Sequence, residues 1–212
     1  MAKLFIMVLF GAALSAHAEP AAKDLSYLCQ SIVSASPLSG GTTSGYAENY
    51  CNGISSSDLK HLCQANVALS SLGDTYGRCY GIVGRDKRDC LANEADAKAR
   101  AADSTCYQVG SPDVKNLCRT VVAVSEVGIY SKAVPGTQYC EAITDSDTKN
   151  LCLANFAVSK DSRNSTTLDA DRYCGKISSA NIKSLCSAVV ELSVVAGNST
   201  TGFADNSCRR IR

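Results

Sequence analysis

One cysteine returns along this chain in the same local frame. Asp-Leu-Lys-His-Leu-Cys ends at Cys63, Asp-Val-Lys-Asn-Leu-Cys at Cys118, Asp-Thr-Lys-Asn-Leu-Cys at Cys152 and Asn-Ile-Lys-Ser-Leu-Cys at Cys186, with weaker copies ending at Cys29 and Cys90. The intervals are 34, 27, 28, 34 and 34 residues, a period typical of stacked supersecondary units. Six copies of one unit leave little room for a mixed fold, so the expectation is an all-α, solenoid-like array of disulfide-stapled helical hairpins.

The second cysteine of each unit follows at Cys51, Cys79, Cys106, Cys140, Cys174 and Cys208. Unconstrained, twelve cysteines admit about ten thousand pairings; the repeat reduces these to two regular schemes. In the sequential scheme, the pairs are Cys29–Cys51, Cys63–Cys79, Cys90–Cys106, Cys118–Cys140, Cys152–Cys174 and Cys186–Cys208. In the offset scheme each unit closes on the next, which either strands Cys29 and Cys208 or forces a bond between the two ends of an elongated array. The sequential scheme uses every cysteine locally and is the expected one. Each closed loop of this size contributes on the order of 3 kcal/mol.

Within a unit the first helix is written in residue types. Seven positions before the cysteine stand Ser56, Ser111, Asp145 and Ser179, all good N-caps, and Pro112 occupies the favoured first helical position. Asp58, Asp113, Asp147 and Asn181 follow in the first turn, where the helix dipole favours negative charge. Leu59, Leu62, Cys63 and Val67 recur at helical spacing, as do Val114, Leu117, Cys118, Val121 and Val122, and Ile182, Leu185, Cys186, Val189 and Val190. The cysteine therefore lies in a buried stripe. Ala65, Ala68, Ala154 and Ala157 let neighbouring helices approach, and Ser70, Ser125, Ser159 and Ser193 mark the exit. A Gly-, Ser-, Thr- and Asn-rich loop such as 39–45 or 164–167 then leads to a short second helix around the partner cysteine. Loop lengths vary on one face, where repeat proteins usually bind.

The third unit departs from this pattern. Asp89 stands in place of the Leu before the cysteine, Glu94 replaces an apolar residue, and both charges crowd the segment 85–103. Glu94 with Lys98 and Asp96 with Arg100 are placed for i,i+4 pairs. A solvated helix where the array bends is the expectation.

Residues 1–18 read as a secretory leader: Lys3, the apolar run from Leu4 to Leu14, then Ala16-His17-Ala18 as a cleavage site. Residues 19–212 form the expected helical repeat domain, secreted, periplasmic or extracellular, with no membrane span, and an even cysteine count suits an oxidising compartment. The chain carries 21 basic and 20 acidic side chains; removing the leader takes away Lys3 and leaves the two balanced, which argues against a nucleic-acid partner.

Chemistry has little to work with. His61 is the one histidine after the leader, and its slot in other units holds Tyr27, Arg88, Asn116, Asn150 and Ser184, the variation of an exposed helix surface. There is no Cys-x-x-Cys, no phosphate-binding glycine loop and no nucleophile elbow, so no metal, cofactor or catalytic residue is assigned. Asp145 with Asp147 and Asp169 with Asp171 are at most weak calcium ligands. Asn164-Ser165-Thr166 and Asn198-Ser199-Thr200 match the glycosylation sequon.

The last long helix is apolar around most of its circumference, whereas a terminal unit normally presents a polar outer face. Val189, Val190, Leu192, Val194 and Val195 are therefore expected to self-associate, with the segment 197–212 folding back over them as the alternative. The functional expectation is an exported, non-enzymatic binding or scaffold module with a protein partner or a second copy. A self-assembling subunit of an extracellular or envelope filament or matrix is the alternative, and a secreted effector, toxin or hydrolase comes third.

Overall fold

The computed structural model describes residues 20–36, 39, 44–70, 79, 82–125, 136–159, 166–198 and 200–212. The expected leader and the sequon at Asn164 lie outside these residues. Helices alternate between two layers. The inner ones are α1 (Ala22–Ala35), α3 (Ser57–Leu69), α5 (Pro112–Val124), α7 (Ser146–Ala157) and α9 (Ala180–Glu191). The outer ones are α2 (Ser44–Asn52), α4 (Gly84–Tyr107), α6 (Gly136–Glu141), α8 (Thr167–Gly175) and α10 (Gly202–Cys208). Each inner helix packs on the next, and α9 packs back on α1, so five helices close a ring. Each outer helix covers the groove between its own inner helix and the following one; α10 lies across α9 and α1. The expected all-α, disulfide-stapled repeat array is what forms, and its ends meet. Among the described residues no helix is long and apolar enough to cross a membrane.

The inner helices start where the residue types place them. Ser56, Ser111, Asp145 and Ser179 accept hydrogen bonds from the backbone N–H of Leu59, Val114, Thr148 and Ile182. Only α1 begins without a side-chain cap, at Ala21. At the far end Ser70, Ser125 and Ser159 each donate from Oγ to the carbonyl three residues back at 2.7 Å, and Ser193 does so at 2.6 Å.

The disulfides follow the offset scheme, which corrects the sequential pairing expected above. Cys51 bonds Cys63, Cys79 bonds Cys90, Cys106 bonds Cys118, Cys140 bonds Cys152, and Cys174 bonds Cys186. Cys29 bonds Cys208 across 179 residues of chain, with Cα atoms 5.6 Å apart. The physical reason is the seat of the outer helix, which brings its cysteine against the following inner helix. The objection that two end cysteines would be stranded vanishes once the array is circular. A small residue two places after each inner cysteine makes room: Ser31, Ala65, Thr120, Ala154 and Ala188 are all fully buried. Thr120 Oγ1 lies 3.2 Å from Cys152 Sγ and 3.7 Å from Cys140 Sγ, and Ser31 Oγ lies 3.3 Å from Cys51 Sγ.

The third copy enters the fold differently from the other five. Its cysteine, Cys90, lies in the first half of the 24-residue outer helix α4, which also carries Cys106. Asp89 at the position that faces the ring axis elsewhere cannot be desolvated without a partner. The copy is therefore spliced into the outer layer, and α4 buries only Ala95, Ala99, Ala102 and Cys106. Asp96 and Arg100 form one of the two expected ion pairs, and Lys98 donates to the carbonyl of Ser70 at 3.4 Å.

The first-turn acids do more than complement a dipole: each latches the loop before the next inner helix. Asp24 accepts from the N–H groups of Ser55 (2.9 Å) and Ser56 (2.8 Å), Asp58 from Gly110 (2.7 Å) and Ser111 (2.9 Å). Asp113 accepts from Thr144 and Asp145, both at 2.9 Å, and Asp147 from Ser178 (2.9 Å) and Ser179 (2.8 Å). The fifth latch is Asn181, whose amide accepts from the Arg212 N–H at 3.1 Å and donates to its carbonyl at 3.2 Å. Arg212 thus occupies the place that Ser55 or Ser178 holds in other units.

The apolar circumference of α9 now has an internal explanation, since α9 has α7 on one side, α1 on the other and α10 outside. Val190 is buried, Val189 and Leu192 turn towards the ring axis, and Val195 is the exposed one of the set, at 37 %. The side chain of Val194 lies outside the described residues. The premise that the last unit lacks a neighbour does not hold. The segment 197–212 does fold back, as α10.

Peptide mapping of the oxidised protein under non-reducing conditions should recover Cys29 joined to Cys208 and no bond within a unit. In the loop-entropy description the closing bond constrains far more chain than the others, so Cys29→Ser with Cys208→Ser should lose about 5 kcal/mol against roughly 3 for a 12-residue pair.

The latches predict acid sensitivity. Burial opposes ionisation of Asp24 and Asp147, but two backbone N–H groups and a serine hydroxyl on each outweigh it and hold both carboxyls below their ordinary value of 3.8. The folded state therefore gains stability above the unfolded-state value and loses it as pH falls through the lower folded value. Urea midpoints measured against pH should fall in that acid window, and Asp24→Asn with Asp147→Asn should flatten the fall while costing about 1–3 kcal/mol per site at neutral pH.

Candidate functional site

The ring encloses an axial funnel built from one register of every inner helix. The residue before each inner cysteine, Leu28, Leu62, Leu117, Leu151 and Leu185, points to the axis, and all five are buried. Four places on come Ile32, Asn66, Val121, Asn155 and Val189, and three further on Ala35, Leu69, Val124, Val158 and Leu192. Steps of four and three residues keep these side chains on one helical face. The leucines form a floor; above it an inner space of 90 Å³ widens into a mouth of 360 Å³.

The mouth lies at the C-terminal ends of all five inner helices. Its rim is the serine ring, Ser36, Ser70, Ser125, Ser159 and Ser193. The loops expected from the sequence to vary in length follow these serines in the chain and lie largely outside the described residues. Among the described residues, no charged and no aromatic side chain lines it. The five inner helices point the negative ends of their dipoles towards it.

Asn66 and Asn155 are the exceptions in an otherwise aliphatic wall. Neither amide has a hydrogen-bond partner among the described residues. An amide carries two N–H donors and a carbonyl acceptor, so the middle layer offers unspent hydrogen-bonding capacity on two helices that flank α5. Sequence reasoning placed Leu62, Leu117, Val121 and Val189 in the buried stripe but passed over these two. The available signal was an amide standing in a register that holds Ile or Val in three other units.

The opposite mouth has a different character. A space of 560 Å³ is lined by Asp58, Asp113, Asp145 and Asp147 together with the N-cap serines. Asp145 Oδ1 accepts from Thr148 N–H at 2.7 Å, and the other three are the latches, so these oxygens are engaged in holding helix starts. Of the other pair weighed for calcium, Asp169 pairs with Arg172 at 3.4 Å. His61 is half-buried, not the exposed surface expected; its Nδ1 is shielded and has no hydrogen-bond partner among the described residues. Glu191 is pushed above its ordinary value, chiefly by burial, and accepts from Ser207 Oγ at 3.0 Å on the outer side of α9, away from the funnel.

Glu191→Gln should remove that burial penalty. A carboxyl whose folded pKa is raised costs stability as pH climbs past the unfolded value, so the Gln variant should equal the parent at low pH and match or exceed its thermal midpoint at neutral pH in a melting series. Comparison with protein-family models, curated proteins and solved structures finds no match to this chain.

Proposed function

We propose that this chain is an exported, non-enzymatic binding protein whose ligand site is the axial funnel. The observation that carries the reading is an aliphatic cavity of 360 Å³, open at one end, whose wall holds two amides with no hydrogen-bond partner among the described residues. Its volume and its mix of apolar surface with a few polar groups match small-molecule sites in general. The scaffold suits the role: four disulfides between outer and inner helices and the closing Cys29–Cys208 bond give each wall helix one staple, so the cavity is held open without a ligand to organise it. Six disulfides and the leader-like residues 1–18 support export to an oxidising compartment. The described lining of aliphatic side chains, serines and two amides suits the holding of a small molecule.

A neutral solvatochromic dye such as prodan should brighten and shift to the blue on addition of the oxidised protein, and short aliphatic alcohols should displace it. Val189→Phe, which fills the inner space, should weaken dye binding at least about tenfold with the melting temperature preserved or raised. A parent that gives no dye signal, or a variant that binds as the parent does, would sink this reading.

A further inference from the structure

We propose that the funnel selects its ligand by head group: it takes an aliphatic chain bearing a neutral hydrogen-bonding group, such as a primary alcohol or amide, which enters first and bonds Asn66 and Asn155, and it excludes the corresponding carboxylate. This rests on the funnel being a binding site and adds the class of molecule it holds.

The depth of the amides sets the orientation. They lie immediately above the leucine floor, with Leu69, Val124, Val158 and Leu192 between them and the serine rim. A polar group that reaches them must pass the aliphatic layer, leaving the chain that follows to fill it. The wall of Ile, Val, Leu and Ala carries no aromatic ring among the described residues, so it offers contact to a flexible chain and no stacking platform.

Charge sets the class. A carboxylate carried to the middle layer leaves water and meets no cation, and burying an unpaired charge is heavily penalised. It also faces the negative ends of five helix dipoles, each unfavourable for an anion. A neutral hydroxyl or carboxamide escapes both costs and satisfies amides that have no partner among the described residues. A molecule lacking any such group leaves Asn66 and Asn155 desolvated without partners, and sites built in this way discriminate against the analogue that lacks the group.

Dye displacement on the full oxidised chain at neutral pH, with octanol, octanamide, octanoate and 1-chlorooctane as competitors, tests the assignment. Octanol and octanamide should displace the dye at concentrations at least about tenfold lower than octanoate and 1-chlorooctane do. Asn66→Leu with Asn155→Leu should bring octanol down to the level of 1-chlorooctane, whose own binding is kept or improved. Should the double variant fail to fold, Asn155→Leu alone carries the comparison and should lose part of the preference. Equal binding of octanoate and octanol, or an alcohol preference that survives the substitutions, overturns the head-group assignment while leaving the funnel as a site. Failure of the dye and of all four competitors to bind overturns both.

Discussion

The bond between Cys29 and Cys208 is the constraint on which the remaining geometry depends. Four of the other disulfides join an outer helix to the inner helix that follows it, and α10 has such a successor only if α1 comes round to meet it. Five short inner helices of 12 to 14 residues would be marginal alone. Around a closed circle each has two inner neighbours and an outer cover, so each leucine of the floor can be buried. The same closure turns five parallel helix ends towards one mouth, and the funnel is the space they leave.

The two rims divide the work. At the helix starts, acids, N-caps and the loops before the following helix consume one another's hydrogen bonds, and that end is tied down by Asp24, Asp58, Asp113, Asp147 and Asn181. At the helix ends the serines satisfy the last carbonyls, and the side chains inside are aliphatic. Polar capacity is spent at one end and left over, in two amides, near the other. That asymmetry is why the serine-rimmed mouth, and not the larger acidic space opposite, carries the functional reading.

Much of this was legible from residue types acting locally. The caps at Ser56, Ser111, Asp145 and Ser179, the stripe through each inner cysteine and the oddity of Asp89 are all properties of a few consecutive residues. What eluded the sequence was relational. Whether Cys51 meets Cys29 or Cys63 depends on which groove an outer helix occupies, and whether Val189 faces a neighbour depends on whether the array closes. Asp147 reads as a dipole partner because its true hydrogen-bond donors, the N–H groups of Ser178 and Ser179, lie 31 and 32 residues downstream. Asn66 and Asn155 look like ordinary helix-surface amides until all five registers are superposed on one axis.

Closure also changes what a broken peptide bond means. The variable segments that leave the serine rim each run from an inner cysteine to the next outer one, a stretch that no neighbouring staple spans. In an open chain of offset bonds a protease cutting there would release two separate pieces. Here the two fragments stay joined through Cys29 and Cys208, with their helices still seated side by side. The chain between an inner cysteine and the next outer one can thus diverge in length and composition, and even be nicked, without the covalent circle coming apart.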